Sequence, residues 1–340
     1  KEGGQIMAAS YNPNRDTEVQ DQAPTDGISS LSWSPRANYL AVTSWDSKVR
    51  CYEIGHNTAC KGMQDQGAPI LCSDFKDDGS AIFTGGCMKK GMYWDLGSNS
   101  FTQVAQHENA VNYIRWIPNM NVLCTTSWDK HIYYWDMRQQ KPAVDVLLPE
   151  KPYCMDIKRN VAVCGTANRA IHAFDLNNPQ KPVSSIDSPL KLQSRCLSIF
   201  YDGNNQNPMG YALGSIEGRV AIQHLDQRNQ SKNFAFKCHR HDKDIYAVNS
   251  IDFHPTFGTF ATAGSDGAFN FWDKDNKQRL KPFSRAATSI TCGRFNATGE
   301  IYAYAVSYDW SAGIEHYNPA NQRNSILLHK VNKGEIESRS

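Results

Sequence analysis

His107, Ser127 and Asp129 are the residue types of a nucleophilic hydrolase, in which an acid orients an imidazole and the imidazole takes a hydroxyl proton. That chemistry also needs a nucleophile raised on a sharp turn and donors aimed at an oxyanion, and no such elbow accompanies these residues. Trp135 closes the group, and hydroxyl, acid and aromatic return in the same order in other segments. A catalytic centre is built once, whereas a repeated constellation is scaffold, so no enzyme is expected. Cys238-His239-Arg240-His241 packs possible zinc ligands together, but a closed site needs four well-spaced ligands and no second cluster supplies the rest. Neither a metal nor a cofactor is therefore expected, and His239 reads as a later counterpart of His107.

The elements that hold these residues recur at intervals of roughly 40 to 50 residues. Short apolar strands end at Tyr52-Glu53, Trp94-Asp95, Trp135-Asp136, Phe174-Asp175, Gln223-His224, Trp272-Asp273 and Tyr317-Asn318. One repeat shows the grammar: an alternating strand over Val111 to Trp116, a turn at Pro118-Asn119, a second strand over Val122 to Ser127, a turn at Asp129, and a third strand over His131 to Met137. Segments such as Phe101 to Gln106 and Asn233 to Lys237 supply the outer strand of the preceding unit. The expected fold is all-β, a seven-bladed WD-repeat β-propeller. His107, Ser127, Asp129 and Trp135 then have the order of the hydrogen-bond tetrad of such repeats. An open ring would leave an unpaired edge, so an N-terminal strand at Thr17 to Gln20 is expected to close the last blade, with Ile326 to Leu328 as its rival. Residues 16–331 form the propeller in this reading, between polar tails at 1–15 and 332–340.

Bulk properties narrow the partners. A net charge of +2 gives no global attraction to nucleic acid or membrane, so any basic site must be local. The ten cysteines fall mostly in apolar strand contexts without a CxxC pair, which suits reduced core thiols in cytosol or nucleus. No apolar run approaches the roughly 18 residues that span a bilayer, and the segment from Lys1 lacks the apolar core of a leader.

The most specific runs lie outside the repeats: PLK at 189–191 with Arg195-Cys196, GYALGSIEGRVAI at 210–222, FKCHR at 236–240, DIYAVN at 244–249, FHP at 253–255, GSDGAFNFWDKD at 264–275 and YAYAVSYDW at 302–310. Together these resemble the messenger-RNA export factor family of the nuclear pore, over about Thr17 to Leu328. The sequence departs from that pattern at Met88-Lys89-Lys90, at Asp65-Gln66, where a histidine is usual, and at Lys151, where the family commonly has arginine.

The resemblance implies a scaffold that binds the GLEBS segment of a GLFG-repeat nucleoporin, contacts single-stranded RNA in messenger-RNA–protein particles, and has a mitotic spindle role. It implies a location at the nuclear pore, in nucleus and cytoplasm, and a monomer apart from the partner. Carried over residue by residue, the partner site comprises Arg219, Phe236, Trp272, Asp273, Lys274, Lys277 and Arg279. Aromatic rings would take an apolar side chain and basic groups would take acidic residues. Lys48, Arg50, Lys89, Lys90, Lys130, Arg169 and Arg219 all follow second-hairpin turns, so they are expected to crowd one rim, where a phosphate backbone would bind with salt-sensitive affinity. Two alternatives remain: a mitotic checkpoint adaptor for GLEBS-like motifs of kinases, and a substrate receptor that reaches a cullin ligase adaptor through the WDxR box at Trp135 to Arg138.

Overall fold

The computed structural model describes residues 12–204, 206–320 and 322–338. Among them are seven four-stranded antiparallel sheets and one small two-stranded hairpin. Blade one contains Ile28–Trp33, Tyr39–Ser44, Lys48–Glu53 and Ala59–Asp65 in spatial order, and blades two to six repeat the pattern. The first strand of each sheet packs against the first strand of the next, and Ile28–Trp33 packs against Ile290–Phe295 of blade seven, which closes the circle. First strands therefore line a central channel and fourth strands face solvent. With this order, every turn between second and third strands lies on one face, called upper here, and the first hairpin turns lie on the lower face.

Burial follows position in the blade. Second strands such as Ala81–Gly86 and Phe260–Gly264 are buried throughout, because a sheet covers each face, and only small or apolar side chains fit there. Outer strands such as Ala59–Asp65 alternate between half-buried and exposed. The core is distributed between sheets. One cluster joins Ile117, Ile132 and Tyr134 of blade three to Met155, Ala162 and Phe174 of blade four, and comparable clusters fill other junctions. Burying each such large side chain contributes about 1.5–3 kcal/mol.

Both chain ends complete blade seven. Its strands are Ile290–Phe295, Ile301–Val306, Ser325–Lys330 and Thr17–Val19, with Thr17 opposite Leu328 and Val19 opposite Ile326. The two sequence rivals are thus neighbours: the N-terminal strand closes the last blade by pairing with the strand expected to compete with it. Tyr317-Asn318 is a correction, since it lies in the long connection between Val306 and Ser325 and not in a strand. The apolar run that enters the ladder is Ile326-Leu327-Leu328, at most 7% exposed, whereas Tyr317 packs against the rings of Tyr308 and Trp310. The tail boundaries also move. Asn14 exchanges side-chain bonds with the Ser284 backbone, Ile336 is fully buried against blades six and seven, and Ser338 bonds to Asp273. The rest of the expected N-terminal tail, 1–11, and the last two residues lie outside the described residues. Among the described residues no helix is long and apolar enough to cross a membrane.

A charged belt in the channel stitches blades together. Asp74, Asp156 and Asp252, from first strands of blades two, four and six, each accept a backbone N–H from the next blade: Trp116, Ile199 and Phe295, all at 2.8 Å. Arg115 of blade three reaches Asp156 at 3.2 Å and Asp74 at 3.5 Å, and Arg294 of blade seven reaches Asp252 at 3.4 Å. A second polar knot ties the chain ends. His329 contacts Asp16 at 2.7 Å and Glu335 at 3.2 Å, and Tyr304 donates to Asp16 at 2.7 Å. Burial alone would lower the His329 pKa, but bonds to the two carboxylates outweigh it and hold the pKa above its ordinary value.

Candidate partner-binding surfaces

The hydrolase-like group is internal. His107 meets Asp129 through Nδ1 at 2.9 Å and Thr125 Oγ1 through Nε2 at 2.7 Å, and the Trp135 indole donates to the same hydroxyl at 2.8 Å. Thr125, not Ser127, is therefore the hydroxyl member, which corrects the expectation. Strand register supplies the reason: Leu123 lies opposite Trp135, so the indole reaches diagonally to Thr125, whereas Ser127 lies at the strand end, where its hydroxyl accepts the Asp129 N–H. Thr125 is fully buried and His107 nearly so, out of reach of any substrate. Burial pushes His107 below its usual range, while bonds hold Asp129 low against burial. Blade six repeats the group with His239, Asp266, Thr262 and Trp272 at 2.8, 2.8 and 2.9 Å, which commits His239 to the scaffold.

Replacing Thr125 with valine leaves two buried polar groups without their shared partner, and thermal or urea unfolding should show a loss of about 2 kcal/mol. Ser127→Ala should lose about 1 kcal/mol or less, since only a turn bond is removed. The opposite ranking would reinstate the serine.

Blade two lacks the histidine, and Gln66 accepts from Thr84 in its place at 3.2 Å. Blade one lacks it as well, and Arg50 takes the turn acid as its partner, forking onto Asp46 at 3.1 and 2.7 Å while only 3% exposed. Arg50 therefore cannot belong to an RNA-binding rim. Cysteines behave as core residues: burial pushes the Cys51, Cys154 and Cys292 thiols up to about 12.

Six of the seven carried-over partner residues gather at the junction of blades five and six. Phe236 comes from the outer strand Phe234–Lys237, and Trp272 from the third strand Phe269–Asp273, with ring centroids 4.6 Å apart. Each nearby cation lies over a ring: Arg279 over Trp272 at 6.0 Å, Lys277 over Phe234 at 5.0 Å, and Lys274 over Phe200 at 5.2 Å. Lys277 and Arg279 are exposed, whereas Lys274 is largely covered and paired with Asp275 at 2.7 Å. Asp273 is 3% exposed and holds its own turn, accepting from the Asp275 and Asn276 backbone, so it shapes this rim without facing solvent. Arg219 stands apart at the upper end of the junction, opposite Lys237 and 3.6 Å from Glu217. Phe236, opposite Val220, carries the surface from one end to the other.

The other basic turn residues share the upper face but differ in availability. Lys130 is bound to Glu150 at 2.7 Å, and Arg169 donates to the carbonyls of Leu190 and Lys191. Lys89 is exposed, and Lys48 and Lys90 are half-covered. Lys89, Lys130 and Arg169 have φ of 64°, 77° and 66°, where blades five and six place Gly218 and Gly267. A side chain there costs roughly 1 kcal/mol relative to glycine. Of the WDxR box, Trp135 is buried and Asp136 is forked by Arg138 at 2.9 and 2.6 Å, which holds the carboxyl at about 2; only Arg138 is well exposed.

One surface was missed by the sequence reading. Trp45, Trp128, Tyr308 and Trp310 ring the upper mouth of the channel around a recess of about 850 Å³ that Arg195 and Asn249 also line. Trp45 is 48% and Trp310 50% exposed, and Tyr317 packs 4.9 Å from Trp310. Leu192, Ile216 and Ile245 add further exposed apolar area. The signal was present: Trp45-Asp46, Trp128-Asp129, Ile216-Glu217 and Tyr308-Asp309 repeat a large apolar residue just before a turn acid, beyond the buried strand.

Seven four-stranded blades, with the complete internal tetrad in blades three and six, define the class as a WD-repeat β-propeller, and the family model "WD domain, G-beta repeat" matches residues 18–53, 99–136 and 231–273. The chain is 50% identical over 343 residues to Protein RAE1 of Arabidopsis thaliana, covering 99% of this chain and 96% of that protein. It is 45% identical to the Poly(A)+ RNA export protein of Schizosaccharomyces pombe, over 98% and 96%, and 44% identical to the mRNA export factor GLE2 of Chaetomium thermophilum, over 93% and 90%. The chain belongs to the Rae1/Gle2 family of messenger-RNA export factors.

Proposed function

We propose that this chain is a non-catalytic docking platform for messenger-RNA export, which binds the GLEBS segment of a GLFG-repeat nucleoporin at the nuclear pore. In this reading it works in nucleus and cytoplasm, as a monomer apart from its partner, with a further spindle role. The observation that carries the reading is the pairing of two surfaces on one ring: the apolar upper mouth at Trp45, Trp128, Tyr308 and Trp310, and the cation-covered aromatic junction at Phe236 and Trp272. Contiguous exposed apolar area of this kind marks interaction sites. The export-factor names of the relatives give the direction of the process.

A long peptide can use both surfaces. Its apolar side chains would seat on the upper mouth, and acidic ones would reach Arg219, Lys277 and Arg279. Asp273 and Trp272 position Lys277 and Arg279, and Lys274 contributes mainly by holding the turn. Single-stranded RNA would follow the upper rim through Lys48, Lys89, Lys90, Lys130 and Arg169, three of which occupy strained backbone that glycine would fill more easily. Such contact tolerates sequence and weakens with salt.

Titration calorimetry of the chain against a nucleoporin GLEBS segment tests the reading. The parent should bind tightly, and Arg219→Glu and Lys277→Glu should each weaken binding about tenfold, with the larger share of the loss at low salt. A folded parent that binds nothing would overturn the assignment. The ligase-adaptor reading stands second, because Trp135 and Asp136 are both engaged within the chain.

A further inference from the structure

Blade six differs from other blades in what its third-strand aspartate holds. Asp95, Asp136 and Asp175 each fasten their own turn, accepting from Ser98, Arg138 and Asn177. Asp273 does the same with Asp275 and Asn276, but its Oδ2 also accepts the Ser338 hydroxyl at 2.6 Å. Asn276 in turn donates to Ser338 Oγ at 2.9 Å. The residues leading to Ser338 form a clasp. Glu335 caps the short helix Lys333–Ile336 by bonding back to Asn332, meets His329 at 3.2 Å and lies 4.0 Å from Lys281. Ile336 is fully buried beside Phe269, Phe271 and Leu280. The last described bond of the chain thus ends on the carboxylate that sets the turn carrying Lys274 and Lys277.

Ser338 is exposed as a residue although its hydroxyl is engaged, and a short surface segment opens more readily than a core. We infer that Ser338 is a phosphorylation site whose modification unhooks the C-terminal clasp and weakens acidic ligands at the blade-five–six rim. The second half rests on the docking function proposed above. In the transfer, Ser338 Oγ forms a bond to the γ-phosphorus of ATP, the bond to the bridging oxygen of ADP breaks, and the hydroxyl proton passes to the base of a serine kinase. The product no longer has the hydrogen that Asp273 accepts. It also carries about two negative charges at neutral pH, placed against a carboxylate with little access to water. Once the clasp departs, Asn276 also loses the oxygen it donates to, and the turn from Asp273 to Lys277 loses a restraint. Both available outcomes for the phosphate act in one direction: it either leaves with the clasp and loosens that turn, or it swings onto Lys277 and screens the cation.

The test uses the whole chain with phosphoserine installed at 338, beside the parent and Ser338→Ala. Amide hydrogen exchange should rise roughly tenfold or more over 333–338 and the 274–277 turn in the phosphoprotein, and only a few-fold in Ser338→Ala, which loses the bond without gaining charge. Exchange equal to the parent overturns the clasp release. Calorimetry with the nucleoporin segment should show about fivefold weaker binding by the phosphoprotein, and equal affinity overturns the link to the rim. If the parent itself does not bind the segment, the docking function fails while exchange still decides the clasp. Mass spectrometry of the native protein from dividing and resting cells should find the phosphate on Ser338, and its absence from both overturns the assignment as a modification site.

Discussion

A variant with Trp45→Ser and Trp310→Gly is expected to keep its fold and bind the nucleoporin segment about a hundredfold more weakly, since large aromatics at the centre of an interface carry most of its energy. Both side chains are about half exposed and neither belongs to an interblade core cluster. Their truncation should therefore change unfolding free energy by about 1 kcal/mol or less. Trp310 adds a sharper contrast, because it sits at φ 61°, a left-handed conformation that is an outlier for a bulky side chain. Glycine relieves that strain by about 1–2 kcal/mol, partly offset by lost ring contacts with Tyr308 and Tyr317. Trp310→Gly alone should thus match or exceed the parent in thermal stability while losing affinity. A residue kept for packing would show the reverse, lower stability with affinity intact.

The ring was legible because its constraints are local and repeated. Small residues in second strands, a turn acid before most third strands and an aromatic at the end of most of them recur together, so blades can be counted without a tertiary contact. The seventh blade was set wrongly at Tyr317 because a long insertion carries aromatics that mimic a strand ending, while the strand itself starts at Ser325. Choosing between Ser127 and Thr125 needed the register. Residues two apart share one face of a strand, so both hydroxyls suit the pattern, and only the Leu123–Trp135 pairing shows which one the indole reaches.

The surfaces were less legible. Phe236, Trp272, Lys277 and Arg279 were singled out by resemblance, since charge and spacing alone do not separate a rim site from solvated turns. Arg50 was misjudged because a turn cation reads as exposed, and only the missing blade-one histidine reveals that Asp46 needs it as partner. The upper aromatic ring carried a repeated signal just before the turn acids, but tryptophan in a strand-rich repeat reads as core until the strand ends are known. The members of the channel belt occupy matching first-strand positions in successive repeats, but they lie on separate strands and meet only when the ring closes.

That belt should produce the largest single loss of stability. Arg115→Met keeps much of the side-chain volume but leaves Asp74 and Asp156 facing each other without the guanidinium between them. Breaking one partner of a buried ionic group costs about 3–5 kcal/mol; Arg115 is 28% exposed to the channel, where water can solvate the carboxylates, so a loss of about 3 kcal/mol at neutral pH is expected. The pH dependence identifies the cause. Burial already raises the Asp74 pKa above its ordinary value, with Arg115 acting against the rise. Without Arg115 the folded-state pKa climbs further above that of the unfolded chain. A carboxyl shifted upward contributes stability that is complete when it is protonated and is lost as pH rises through the folded pKa. The gap between parent and variant should accordingly narrow as pH falls from 7 toward 5, by urea unfolding at each pH. Arg115→Lys, with one point charge in place of the fork, should fall between them at neutral pH. A gap independent of pH would mean that arginine acts by filling space, and the belt would then be packing and not electrostatic stitching between blades.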